Sequence, residues 1–257
     1  MGGTERVAIV TGGMAGIGLA TVQALLSAGM KVAVGARRAG DAGMESAFRD
    51  AVRVDVFLAV LDVRSTESIA SFTSAVETTL GPVDVLVNSA GVSAHQMVCG
   101  HNEDDWLSVI DINLSGPFRM TRACLPGMIA RKWGRIVNVA STAARTAMPD
   151  SAAYSASKSG LLGLTRAVAL EGAPHGVSCV AVSPTWVETD MLRASAAEAA
   201  AASGRTVAEE IDEFRNSIPQ NRLVQPDEVG ALIAFLCGEN AGGITMEDIQ
   251  INAGALW

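Results

Sequence analysis

Thr11-Gly12-Gly13-Met14-Ala15-Gly16-Ile17-Gly18 is the stretch on which the fold turns. An apolar, β-branched run, residues 6–11, leads into it, and a helical segment, residues 16–29, leaves it at once. Glycines at 12, 16 and 18 allow a tight turn and a close approach of the backbone to a bound group. The helix that starts at Gly16-Ile17-Gly18 presents free N–H groups and the positive end of its dipole. Strand, glycine turn and helix in that order open a unit that accepts a pyrophosphate. The spacing is G-x-x-x-G-x-G, not G-x-G-x-x-G, and a tight turn without any ligand would use the same residues. The rest of the chain has to decide between them.

Outward from the turn the alternation continues. Residues 31–36, 55–61, 83–88, 135–140 and 177–183 are nearly continuous apolar runs, as expected of strands covered on both faces. Helical spacing falls on 65–80, with Ser65 or Thr66 as N-cap, on 104–132, with kinks expected at Gly116-Pro117 and Pro126, on 151–173, and on 226–237, where Pro226 suits a first turn. Residues 249–251 add a seventh strand. The pattern predicts one doubly wound α/β domain over residues 1–257, with about seven parallel strands, right-handed crossovers and helices on both faces. Residues 189–220, rich in Ala and Glu, are too long for an ordinary connection and are expected to form a substrate lid; an exposed helical insertion is the alternative.

Composition narrows the function. The 257 residues are 49% hydrophobic and 18% charged, enough for a large core. A net charge of −8 with no stripe of Lys and Arg argues against nucleic acid as partner. Cys99, Cys124, Cys179 and Cys237 are widely spaced and read as buried apolar residues of a reduced protein, with neither a disulfide framework nor a metal site. Residues 1–6 lack the apolar core of an export signal, and the most apolar helical stretch, 161–170, is short and broken by Arg166. The expectation is a soluble cytoplasmic protein without membrane contact.

The second strand ends Ala36-Arg37-Arg38. Site chemistry for NAD(H) places an acidic residue here to accept from a ribose hydroxyl, whereas Arg37 is suited to a ribose 2′-phosphate, which favours NADP(H) over NAD(H). Two solvated arginines at a helix start would look the same. The only tyrosine, Tyr154, stands four residues before Lys158 at the start of a helix, so the two share a face. A phenol titrates near pH ~10 when free, and an ammonium nearby favours its ionised form. Ser141 follows the strand 135–140 on the ligand side, where its hydroxyl can reach a substrate oxygen. Asn113, in Asp111-Ile112-Asn113-Leu114, could hold a water that links Lys158 to solvent.

On these residues the chain resembles the short-chain dehydrogenase/reductase family, a Rossmann-type fold, over nearly its whole length. Thr11 to Gly18, with Gly12, Gly16, Ile17 and Gly18, matches the glycine motif; Asp62-Val63 matches the adenine contact; and Asn88-Ser89-Ala90-Gly91 matches the N-N-A-G turn with one Ser for Asn. Asn113, Ser141, Tyr154 and Lys158 fall on the catalytic tetrad. The resemblance implies an NAD(P)-dependent oxidoreductase of ketones and alcohols. In it Tyr154 gives its proton to the carbonyl oxygen. Lys158 binds ribose and lowers the phenol pKa, Ser141 polarises the carbonyl, and Asn113 positions a relay water. Asn88, Ala90 and Gly91 contact the cofactor, while Pro184, Val187 and Thr189 hold its carboxamide and phosphate. Thr185 stands where the family has glycine, and Asn252-Ala253-Gly254 replaces Asp-Gly-Gly.

Asp62-Val63-Arg64-Ser65, residues 81–88, Val187 to Met191 and Arg222 to Pro226 are nearest to the actinorhodin-type polyketide ketoreductases and the 3-oxoacyl carrier-protein reductases, although Val92-Ser93-Ala94 replaces their Pro-Gly-Gly. A carrier-protein-bound substrate is one implication, with Lys132 as a contact; an NAD-dependent secondary-alcohol dehydrogenase and a non-catalytic nucleotide-binding protein are the alternatives. Ala143, Arg145, Met148, Trp186, His95, Met97 and the lid 190–218 are the expected substrate lining, and relatives of this kind imply a homotetramer built on the helices 104–132 and 151–173.

Overall fold

The computed structural model describes residues 5–255, so Met1 to Thr4 and the last two residues of the expected 1–257 domain lie outside the described residues. Seven strands form one parallel sheet: β1 (Val7–Thr11), β2 (Lys31–Ala36), β3 (Phe57–Val60), β4 (Val83–Asn88), β5 (Gly134–Val139), β6 (Val177–Pro184) and β7 (Asp248–Ile251). They lie in the order β3-β2-β1-β4-β5-β6-β7. The chain winds outward from β1 one way and from β4 the other, which opens a crevice at the carboxyl ends of β1 and β4. The doubly wound architecture is the expected one.

The strand sequence explains the two layers. Every residue of β1, β4, β5 and β6 is buried, so side chains of both parities must find a core. On β1, Ala8 and Val10 pack with Val22, Leu25 and Ile233 on one face, and Val7 and Ile9 pack with Phe72, Met120 and Met128 on the other. The first face is covered by α1 (Gly16–Ser27), α2 (Ala42–Val52) and α9 (Pro226–Cys237), the second by α3 (Thr66–Thr79), α5 (Gly116–Arg131) and α6 (Ala152–Gly172). Cys124, Cys179 and Cys237 are buried as expected, and burial pushes each thiol up to about 12, where it is inert. Cys99 is exposed, against expectation, because it lies in a short surface turn after β4. Among the described residues no helix is long and apolar enough to cross a membrane.

Three local differences have physical causes. The expected helix over 104–132 is two helices, α4 (Glu103–Ile110) and α5, joined by a wide π turn at Asp111–Ser115. Pro117 opens α5 without kinking it, since its missing N–H is one the first turn does not need. Helix α2 has no counterpart among the expected helices. Only Phe48 of it is buried; Asp41, which accepts from the Met44 N–H at 3.0 Å, starts it. The residues 189–220 fold as α7 (Asp190–Ser203) and α8 (Val207–Asn216), joined at left-handed Gly204. Their joint is closed by the buried Glu210, which accepts from Arg205 Nε at 2.9 Å and from the Ser203 hydroxyl at 2.6 Å.

Helices α1 and α9 touch backbone to backbone. A Cβ on Gly230 would stand 2.7 Å from the Ala20 carbonyl carbon and oxygen, closer than any real contact. Gly230→Ala is therefore expected to destabilise the protein by about 1–3 kcal/mol through overpacking, although alanine is the better helix former by about 1 kcal/mol. Urea unfolding checks this: the midpoint falls, whereas a raised midpoint would mean that propensity outweighs the contact.

Candidate active site

The crevice is built from the glycine turn upward. Gly12 and Gly16 are left-handed, with φ of 67° and 51°. The Gly12 N–H donates to the Gly35 carbonyl at 2.8 Å, and a Cβ on Gly12 would stand 2.9 Å from Ala90 Cα. A Cβ on Gly18 would lie 2.3 Å from the Gly12 carbonyl oxygen. Only glycine fits at either place. The Thr11 hydroxyl accepts from the Ser89 and Ala90 N–H groups, both at 3.1 Å, and so ties this turn to the one after β4. Helix α1 starts beyond Ala15 with no side-chain cap and no acidic residue in its first turn. Its first N–H groups therefore face the crevice unsatisfied, a cradle for an anion.

At the end of β2 the two arginines part company. Arg38 pairs with Asp41 at 3.4 Å, while Arg37 has no ion-pair partner among the described residues and lines the crevice. Asp62, on the same wall, is clamped by Arg64, with Nη2 at 2.7 Å and Nε at 3.0 Å, and the guanidinium holds its carboxyl below the usual range. Val63 seats the start of α5 at Gly116, where a Cβ would come within 2.8 Å of it. Asn88 does not line the crevice. Its side chain is buried in the sheet and donates to Asn138 Oδ1 at 2.8 Å, which joins β4 to β5. The strand end is simply one residue short of the opening, and Ser89, Ala90 and Gly91 line it instead.

The reactive groups gather at the other end of the crevice. Tyr154 and Lys158 project from the first turns of α6, and Ser141 stands just past β5, where its Oγ accepts from the Ala143 N–H at 3.1 Å and starts a 3-10 turn. Lys158 is buried, donates from Nζ to the Val139 carbonyl at 2.8 Å and lies 5.5 Å from the centre of the Tyr154 ring. Burial lowers its pKa to about 8, because one carbonyl replaces the water an ammonium would otherwise have. Burial pushes the Tyr154 phenol above its ordinary value, opposed by a hydrogen bond with Ser141. The expected lowering of this phenol by Lys158 is thus not the direction found here. The ammonium is turned to Val139, and it is Ser141 that favours the ionised oxygen.

Asn113 sits in the π turn, buried and outside the crevice lining. Its Oδ1 accepts from the Val92 N–H at 2.9 Å, and Nδ2 donates to the Val92 carbonyl at 2.9 Å and to the Ser157 hydroxyl at 3.1 Å. Both amide hydrogens are committed, so the side chain acts as a brace between the loop after β4 and α6. Gly91 lies between these groups, and a Cβ there would make ordinary contacts with Asn113 Oδ1 at 3.4 Å and Lys158 Nζ at 3.7 Å.

Together the walls enclose a cavity of about 400 Å³, a size that suits small ligands. Pro184, Val187 and Thr189 line it as expected, and Thr185 fits with an ordinary backbone, its N–H 3.3 Å from the Ile251 carbonyl. Of the expected substrate lining, His95, Ala143, Met148 and Trp186 are present, and the lid contributes Asp190, Met191, Leu192 and Ser195. Arg145 turns away to pair with Asp248 at 2.6 Å, and Met97 is outside, 58% exposed. Helix α8 stays behind the wall, where Phe214 stacks on Trp186 with ring centres 4.3 Å apart. Thr142, Thr146 and Ser151 line the cavity unforeseen. Their signal is the run of hydroxyls between the end of one strand and the start of the tyrosine helix. Lys132 ends α5 beside the starts of β5 and β6, at the amino-terminal end of the strands and opposite the cavity, because α5 runs back across the sheet.

The family and the fold have known relatives. Residues 6–200 match the family model described as short chain dehydrogenase. The chain is 40% identical over 255 residues to the monensin polyketide synthase putative ketoacyl reductase of Streptomyces virginiae, covering 98% of this chain and 97% of that protein. It is 39% identical to the acetoacetyl-CoA reductase of Shinella zoogloeoides, covering 97% and 98%. A crystal structure of an actinorhodin polyketide ketoreductase variant with NADPH superposes with a TM-score of 0.92 at 37% identity, covering 98% of this chain and 97% of the other.

Proposed function

Because the chain belongs to the short chain dehydrogenase family, and is thereby an NAD(P)-dependent oxidoreductase acting between C=O and CH–OH groups, we propose that it is an NADPH-dependent ketoreductase with Tyr154 as general acid. The observation that carries this is one crevice with an anion cradle and a free arginine at one end and Ser141, Tyr154 and Lys158 at the other.

Gly12, Gly16, Ile17 and Gly18 would hold the pyrophosphate, Arg37 the 2′-phosphate, and Asp62 with Val63 the adenine side. Ala90, Gly91 and Lys158 would hold the inner ribose, and Pro184, Val187 and Thr189 the carboxamide end; Asn88 supports them from the sheet. The bound dinucleotide supplies the hydride. Ser141 donates a hydrogen bond to the ketone oxygen, and Tyr154 transfers its phenolic proton to that oxygen. A phenol kept protonated by burial has a proton to give. Lys158 keeps a positive charge beside the ring below about pH 8. Asn113 holds the loop and the helix in register for this.

The substrate end is lined by Val92, Met148, Trp186, Met191 and Leu192 with the acidic Asp190, and among the described residues no Lys or Arg but Lys158 reaches it. This supports a neutral, medium-sized ketone over an acid. With the ketoacyl and acetoacetyl-CoA reductases as relatives, the substrate we assign is the 3-oxo group of an acyl or polyketide chain, presented as a thioester, including one on a carrier protein. A carrier protein would approach on the cavity side and not at Lys132. Residues 189–220 serve as the lid of the one domain. The exposed Trp106, Leu107 and Phe118 on α4 and α5 and Leu170 on α6 are assigned to the contacts of a homotetramer. A cytoplasmic location follows from this role.

Initial rates with NADPH and NADH, in the wild type and in Arg37→Ala, test the cofactor. A charge-assisted hydrogen bond contributes about 1.5–3 kcal/mol, so the variant should lose roughly 10- to 100-fold in kcat/KM with NADPH and little with NADH. A wild-type preference for NADH would overturn the assignment and favour an NAD-dependent alcohol dehydrogenase.

A further inference from the structure

The segment between β4 and α4 carries His95, one of three histidines, and nothing in the proton transfer uses it. Its ring reaches two elements far apart in the chain. Nε2 lies 3.1 Å from the hydroxyl of Ser195, on lid helix α7 and 100 residues away. Nδ1 lies 3.5 Å from the Asp150 carboxylate, just before α6. Nε2 and the Ser195 hydroxyl are within hydrogen-bond distance, and either group can donate, depending on which ring nitrogen carries hydrogen.

The base of this contact is firmly built. Asp150 is held in a left-handed conformation with φ of 66°, its carbonyl accepts from the Gln96 N–H at 2.8 Å, and the Ser151 hydroxyl donates to its carboxylate at 3.2 Å. The Gln96 side chain donates to Asp105 at 2.7 Å and accepts from the Asn102 N–H at 2.7 Å. The lid side is less tied. Helix α7 buries Leu192, Ala196 and Ala200, and its other side-chain bonds, Arg193 to Glu188 and Ser203 to Glu210, stay within the lid and its approach. Among the described residues, His95 to Ser195 is the one side-chain hydrogen bond from α7 to the opposite wall of the cavity. His95, Ser195 and Tyr154 all line that cavity.

We propose that His95 is a positioning residue for the lid: it ties α7 across the cavity through Ser195, closes the wall facing Tyr154, and must release before a long acyl chain can lie in the cavity. A compact ketone is accepted with the tie made, and an extended thioester only with it broken. The substrate part of this rests on the ketoreductase assignment; the tie itself does not.

Hydrogen exchange of the α7 amides, with no substrate present, tests the tie in His95→Phe, Ser195→Ala and the double variant. One hydrogen bond changes a local opening equilibrium by roughly 3- to 10-fold, so exchange in α7 should rise by that factor in each single variant while β4 to β6 keep their protection. The double variant should add nothing further, because both changes remove one contact. His95→Gln, which retains a donor and an acceptor, should recover part of the protection. With a short 3-oxo ester, the loss in the single variants should appear in KM more than in kcat, and the ratio of rates for a long 3-oxoacyl thioester over the short ester should rise. Unchanged α7 exchange, or additive effects in the double variant, overturns the tie. If exchange rises as stated but no ketone is reduced by any form, it is the ketoreductase assignment that fails.

Discussion

Tyr154→Phe is expected to reduce ketone turnover by roughly 100- to 10,000-fold while NADPH affinity stays within about threefold. General acid catalysis contributes typically 10²–10⁴-fold, and this chain has a single tyrosine with which to provide it. The substitution removes one oxygen and leaves the ring, so packing over Lys158, 5.5 Å from the ring centre, is kept. The remaining donor near the ketone oxygen is Ser141, whose oxygen is also engaged by the Ala143 N–H. Steady-state rates together with NADPH fluorescence titration separate the two effects. Loss of both rate and binding would mean that the Tyr154 hydroxyl holds the dinucleotide and is not specific to proton transfer.

Gly18→Ala carries the second large effect. The added carbon would stand 2.3 Å from the Gly12 oxygen and 2.9 Å from its carbonyl carbon, backbone atoms that cannot swing aside. Gly12 cannot withdraw either, since it is left-handed and packed against Ala90. The turn has to open, which costs about 1–3 kcal/mol and moves the N–H groups at the start of α1 off the anion. A loss of NADPH affinity of roughly 100-fold and a lower melting temperature are expected, by fluorescence titration and thermal unfolding. Unaltered affinity would remove the glycine turn from the cofactor site.

Both effects are legible in the amino-acid sequence because each lies in short-range pattern. The strands β2 and β4 have the bounds expected of them, since apolar runs covered on both faces end where the sheet ends. The Tyr154–Lys158 face follows from helical spacing alone. What is not legible depends on long-range packing. Met44, Phe48 and Val52 stand four apart on α2, but one fully buried side chain in eleven is a faint stripe. The direction of the Tyr154 shift depends on how deeply the assembled crevice buries the phenol, opposed by the hydrogen bond with Ser141. Asn88 lies one residue before the crevice and Asn113 one layer behind it, distances a motif cannot resolve. Arg145 stands at a place in the sequence suited to the substrate wall, yet Asp248, more than a hundred residues on, takes it away. His95 is the opposite case. As an isolated loop histidine it signals nothing, and only the fold brings Ser195 to it.

The most direct test of NADPH-dependent ketoreduction is a panel of 3-oxo esters and 3-oxoacyl thioesters incubated with the wild-type protein and NADPH, with dinucleotide oxidation and hydroxy product measured together. One hydroxy product per NADPH oxidised is expected for at least the compact members. Failure to oxidise NADPH with every ketone of the panel, by protein shown to bind it, would contradict ketoreduction as the activity of this site.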